Sequence, residues 1–163
     1  MSFNMPEEYK SIYVEHSYQC GDGKSTNAIN YTITNKDSSV VIAFSFINLP
    51  DSNSLAMIRR FSPGWDPNKN YIKTAKNRAD TLNHKLLFYE KDYSKRVLNA
   101  DDAGEYVRAC SLPYMNRYKN YRVIFLFKRD RGHIEITYFC TDTSKDKIGD
   151  YIKQTKGMLK YND

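Results

Sequence analysis

The sequence predicts an α+β fold: an antiparallel β-sheet flanked by helices, with a closing β-hairpin and a C-terminal helix. Three observations predict it. Apolar and β-branched runs follow one another across short turn-forming segments, which joins neighbouring strands antiparallel. Helical spacing is confined to two groups, residues 55–82 and 143–159, instead of alternating with strands as a parallel sheet requires. The 163 residues contain no linker rich in Ser, Gly or Pro, no internal repeat and no low-complexity run, so 1–163 reads as a single domain. A content of 40% hydrophobic and 14% aromatic residues suffices for a core.

Residues 1–9 are polar around Pro6 and read as an irregular N-terminal arm. Ser11 to Gln19 alternate as a first strand, and Cys20 to Thr26 form a Gly-containing turn. Ile29 to Thr34 and Val40 to Ile47 are the next strands, joined by the turn residues Asn35 to Ser39. The run Val40 to Ile47 is nearly all apolar, which predicts a central strand covered on both faces. Leu55, Ile58 and Phe61 recur at helical spacing, and Pro63-Gly64 ends that helix. Asp66-Pro67 is a helix start, and Tyr71, Ile72, Ala75, Ala79 and Leu82 give the second helix its apolar stripe. Lys85 to Tyr89 reads as a strand. Tyr93 to Leu98 fits a strand or a helical turn equally. Glu105 to Leu112 is a strand ended by Pro113.

Tyr121 to Phe127 and His133 to Cys140 are β-rich runs around Lys128 to Gly132, a hairpin with a charged tip. In the second run Ile134, Ile136, Tyr138 and Cys140 face one way, and His133, Glu135, Thr137 and Phe139 the other. Thr143 is the expected N-cap of the last helix, whose buried face holds Ile148, Tyr151, Ile152, Thr155 and Leu159. The stretch from Tyr121 through Phe139 to Leu159, with the inserted helices before it, resembles the Mog1/PsbP-type α+β sandwich in element order over about residues 9–160. That resemblance implies a binding or adaptor module, since members of the family are mostly non-enzymatic.

Lys and Arg number 25 against 19 Asp and Glu, a net charge of +6. The surplus lies beyond residue 60: residues 1–60 carry 5 basic and 6 acidic side chains, residues 61–163 carry 20 and 13. A basic surface favours anionic partners. Lys, Asn, Tyr and Ile make up 56 residues, a bias of AT-rich codons that suggests a bacterial source. Mean hydropathy is −0.70 and no run approaches the ~20 apolar residues of a membrane span. The first residues lack the basic and apolar stretches of a secretory signal, so a cytoplasmic location is expected, with the periplasm the alternative if a leader has been removed. Cys20, Cys110 and Cys140 are odd in number and lack metal-pair spacing, so reduced, buried thiols are expected; one bridge plus one free thiol is the alternative.

No chemical motif is complete. Gly23-Lys24-Ser25 matches the tail of a phosphate-binding loop, but the required glycine five residues earlier is Tyr18. The histidines His16, His84 and His133 share no ligand spacing. His133 and Glu135 share a strand face, for which an exposed surface is the expectation. Asp101, Asp102 and Glu105 form one acidic knot, read as a solvated loop. The sequence therefore implies no cofactor, no metal and no catalytic residue. The segment Tyr114 to Arg122 interleaves tyrosines with cations, a composition that suits protein contacts and single-stranded nucleic acid alike.

The expectation is a bacterial, non-enzymatic protein-binding module, an immunity or adaptor protein that masks an acidic toxin or secreted effector. A nucleic-acid-binding protein and a hydrolase or metal-dependent enzyme with a dispersed site are the alternatives. The partner-binding candidates are Tyr114, Arg117, Tyr118, Lys119 and Arg122, with Lys128, Arg129 and Arg131 of the hairpin tip. Arg59 and Arg60 of the first helix form a further cationic pair.

Overall fold

The two β-rich runs around the charged tip build the middle of the sheet, because alternating apolar side chains there feed a core on each face. In the computed structural model, which describes residues 2–13, 17–20, 28–79 and 86–162, they are β7 (Tyr118–Lys128) and β8 (Gly132–Cys140). All nine residues of β8 are buried. Before them come β1 (Ser2–Phe3), β2 (Tyr9–Ser11), β3 (Tyr31–Asn35), β4 (Val40–Ile47), β5 (Leu87–Phe88) and β6 (Asp102–Tyr114), and β9 (Leu159–Lys160) follows. Seven strands form one antiparallel sheet in the order β2-β3-β4-β8-β7-β6-β5. The helices are α1 (Ser52–Phe61), α2 (Asn70–Arg78), α3 (Lys91–Leu98) and α4 (Ile148–Gln154). The α+β class is thus as the sequence predicts, and β4 is central and buried on both faces as its apolar run requires.

Each sheet face has its own core. On one, Ile42, Phe44, Leu126, Ile134, Ile136 and Tyr138 pack under Leu98 of α3 and Tyr151 of α4. On the other, Val41, Ala43, Tyr106, Val123, Phe125 and Phe139 pack under Tyr71 and Ala75 of α2. The Tyr71 ring stacks on Phe127 at 4.2 Å. The hairpin return is pinned at Gly132, whose φ is +96° and whose missing Cβ would stand 2.2 Å from the Ile47 carbonyl oxygen. Only glycine meets both conditions.

Several sequence readings are corrected. The arm 1–9 is not irregular throughout: β1 pairs with β9, and Asn4 donates to the Met158 carbonyl at 2.8 Å. The first strand begins at Tyr9 rather than Ser11, because Tyr9 pairs with Asn35; residues 14–16 lie outside the described residues. The second helix opens as a 3-10 turn, Pro67–Lys69, capped by Asp66. Tyr93 to Leu98 is the body of α3, closed by Asn99 in the left-handed region. The strand read as ending at Pro113 continues to Tyr114. Its register shifts between Ala109 and Tyr114, so the ladder does not need the N–H that proline lacks. The last helix is short. Ser144, not Thr143, precedes its opening 3-10 turn, and Leu159 lies in β9.

The thiol expectation is also corrected, in favour of its alternative. Cys20 and Cys110 are disulfide-bonded, their Cα atoms 4.8 Å apart across 90 residues of sequence, while Cys140 is free and buried. Sequence spacing is blind to this because the sheet creates the proximity. The bridge holds residues 17–20 against the bulged part of β6, where the Cys20 carbonyl accepts from Ser111 N at 3.2 Å and Leu112 N at 3.3 Å. Closing a loop of this size restricts the unfolded chain by about 4–5 kcal/mol in the chain-entropy picture. Thiol titration in denaturant is expected to count one thiol without reductant and three with it. Urea unfolding of the Cys20→Ala/Cys110→Ala variant is expected to show stability lower by about 2–5 kcal/mol.

Candidate interaction surface

The eight residues singled out by sequence do not form one surface. Tyr114 and Tyr118 pair across a three-residue turn in which Met115 and Asn116 have positive φ and Arg117 N donates to the Tyr114 carbonyl at 3.1 Å. That turn aims both tyrosines inward, where they are 2% and 3% exposed. Tyr114 stacks on Phe139 at 4.2 Å, and the Tyr118 hydroxyl donates to the Ser38 carbonyl at 2.9 Å. Both are corrected from contact residues to core. The nucleic-acid reading loses the stacking platform on which it rested, since Tyr121 is buried as well. Ten of the 14 tyrosines are buried, so the tyrosine enrichment serves packing.

The cations divide in the same way. Arg122 is half-buried 3.8 Å from Glu105, and Lys119 stands 3.7 Å from Asp142. Lys128 donates to the Asn99 side chain at 3.0 Å. Arg117 lies at one end of β7 against the Tyr118 ring, at 5.6 Å from its centroid. Arg129 and Arg131 lie at the other end, roughly 33 Å away along an 11-residue strand. Among the described residues, neither has a carboxylate within ion-pair distance.

The acidic knot is structural rather than simply solvated. Asp101 accepts from the Arg129 backbone N–H at 2.7 Å, Asp102 from the Tyr71 hydroxyl at 2.8 Å, and Glu105 from the Tyr89 hydroxyl at 2.9 Å. The Asp101 bond holds the tip, and Asn68 and Asp130 add a reciprocal pair at 3.1 Å each way. Tyr161 donates from the other side to the Leu126 and Gly132 carbonyls at 3.3 and 3.2 Å. Arg129 and Arg131 therefore stand on a rigid turn.

Beside that tip lies the element that sequence reasoning undervalued. α1 has no buried residue, although Met57, Ile58 and Phe61 form a stripe along it. Leu55 and Ile58 lean on the body, while Met57 is 62% and Phe61 78% exposed. A ten-residue helix is marginal in water by itself. Asp51 steadies this one, accepting from Asn53 N at 2.9 Å and from Ser54 N at 3.0 Å, and Arg59 and Arg60 favour its C-terminal dipole. Between α1 and the tip is a cleft of about 560 Å³ walled by Pro50, Leu55, Asp130, Arg131 and Tyr161. The sequence signal was present: apolar residues at helical spacing beside Arg59 and Arg60, between two prolines. The stripe reads as core until its neighbours are known.

His133 and Glu135 are buried, which corrects the expected exposed face. α2 covers them, and Arg78 bonds Glu135 at 2.9 Å with side-chain exposures of 16% and 4%. His133 Nε2 has no hydrogen-bond partner among the described residues. Burial, helped by the charge of Arg78, lowers its pKa from 6.5 to about 4. Among the described residues no group of three His, Cys, Asp or Glu could hold a metal, and no helix is long and apolar enough to cross a membrane. His16, His84 and the Gly21–Thr26 segment lie outside the described residues. The chain matches no protein-family model, no curated protein and no solved structure.

His133 makes stability depend on pH. Between about pH 6.5 and pH 4 the unfolded chain binds a proton at this histidine and the folded chain does not. Stability is thus expected to be full above pH 6.5 and to fall by roughly 3 kcal/mol as the pH drops to 4. Urea titrations across this range are expected to lose that part of the slope in His133→Leu.

Proposed function

We propose that this chain is a non-enzymatic protein-binding module of the immunity or adaptor kind, which masks an acidic toxin or effector through α1 and the β7–β8 tip. The observation that carries the reading is α1: an ordered helix whose apolar side chains Met57 and Phe61 are left in water. A neighbouring chain that covers them gains apolar burial and also stabilises the helix. Arg60 stands one helical turn from Met57, and Arg131 walls the cleft on the Leu55 side of the helix, so cations lie near the apolar stripe. Arginine around an apolar centre is the usual make-up of a protein-contact hot spot, and its charge selects an acidic counterpart. The resemblance in element order to the Mog1/PsbP-type sandwich points the same way. Immersion in an oxidising compartment such as the periplasm agrees with the disulfide.

The surface assigned here replaces the Tyr114–Arg122 segment, whose far end of the sheet supplies the control. The wild type and two variants are to be used as bait in lysate of the source organism. Met57→Asp/Phe61→Asp is expected to weaken the stoichiometric protein partner at least about tenfold, as loss of two hot-spot side chains does. Met115→Asp/Arg117→Glu is expected to leave it within about twofold, with melting temperatures of the α1 variant unchanged. Equal loss from both variants, or none from either, removes the assignment.

A further inference from the structure

We infer that a lysine-walled groove between α2 and α3 holds an extended acidic polypeptide segment. Two clefts make the groove. One, of about 490 Å³, lies at the sheet end between Lys69, Ile72, Lys91, Lys95, Phe127 and Arg129. The other, of about 300 Å³, runs along α2 past Lys69, Ile72, Lys73 and Lys76. Lys69 and Ile72 wall both, so the two clefts run into one another. The groove shares Arg129 with the tip of the surface proposed above, but its α2 and α3 lysines lie outside that surface.

Asp66, Asp101 and Asp102 also line it, three carboxylates against six cations, so its net charge stays positive. Asp66 accepts from Asn68 N at 3.0 Å and is 3.5 Å from Lys69. Asp101 is taken by Arg129 N, and Asp102 by the Tyr71 hydroxyl with Lys91 at 3.4 Å. Among the described residues, Lys73, Lys76, Lys95 and Arg129 have no carboxylate at ion-pair distance. An anion laid in the groove thus meets four cations with no partner to displace.

Two features select a polypeptide over a nucleic-acid strand. The rings of Tyr71 and Phe127 are spent on each other at 4.2 Å and are buried, which leaves no aromatic face for a base. Lys69, at the end of the opening 3-10 turn, is followed along α2 by Lys73 and Lys76 at steps of roughly 6 and 5 Å. Same-face side chains of an extended chain repeat at roughly 7 Å, so alternate Asp or Glu residues can meet successive lysines. The half-buried Ile72 between them suits a small apolar side chain.

The test is fluorescence anisotropy of a labelled peptide of about ten residues alternating Glu and Ala, at about 50 and about 200 mM salt. Saturable binding that weakens at the higher salt is expected. Lys73→Glu/Lys76→Glu, both exposed and both expected to fold, is expected to weaken it at least about tenfold. Lys145→Glu/Lys147→Glu makes the same charge change at the opposite end of β8 and is expected to cost no more than about twofold. No binding by the wild type, or equal loss from the two pairs, overturns the proposal. Tighter binding of a single-stranded oligonucleotide of equal charge also overturns it and reassigns the groove to nucleic acid.

Discussion

The register of β8 between β4 and β7 is the constraint on which the rest of the molecule depends. Successive side chains of a strand point to opposite faces, so a slip of one residue would exchange the two faces completely. Ile134, Ile136 and Tyr138 would move beneath α2, and His133 and Glu135 into the core of α3 and α4. Gly132 prevents the slip, because its φ and its 2.2 Å clearance to the Ile47 carbonyl admit no side chain at the return. The pairing of Ile47 with His133 and of Phe127 with His133 then follows on both sides.

From that register come the features at the two ends of the sheet. At one end the β6–β7 turn draws Tyr114 and Tyr118 inward, so the surface there keeps Arg117 but loses its aromatics. At the other end the β7–β8 tip is held by Asp101, Asn68 and Tyr161, and α1 crosses beside it. Hydrogen bonds of about 3 Å from three separate segments make the tip rigid, which lets Arg129 and Arg131 meet a partner with little ordering cost. The cationic face of α2 adjoins the same end.

The buried polar groups beneath α2 have a different role. Glu135 pairs with Arg78 at 2.9 Å, and such a buried pair adds little net stability over apolar packing although losing one partner is severe. His133 stays neutral for the same reason that Cys140 stays a thiol, whose pKa burial raises to about 12. The Arg78–Glu135 pair ties the α2 face of the sheet to the helix that covers it.

The α+β class, the apolar run of β4, the face assignment along β8 and the glycine at the hairpin return were legible in the sequence. Each is a local consequence of period-two alternation or of a backbone angle that a neighbouring residue dictates. The Cys20–Cys110 bridge, the pairing of the N-terminal arm with β9, the burial of Tyr114 and Tyr118 and the exposure of α1 were decided only by tertiary structure. They depend on which segments meet, and residues 90 apart carry no local mark of meeting. A tyrosine beside arginines, or an apolar stripe on a helix, has the same sequence whether it faces a core or a partner. What separates the two is the space left over once the sheet has chosen its neighbours.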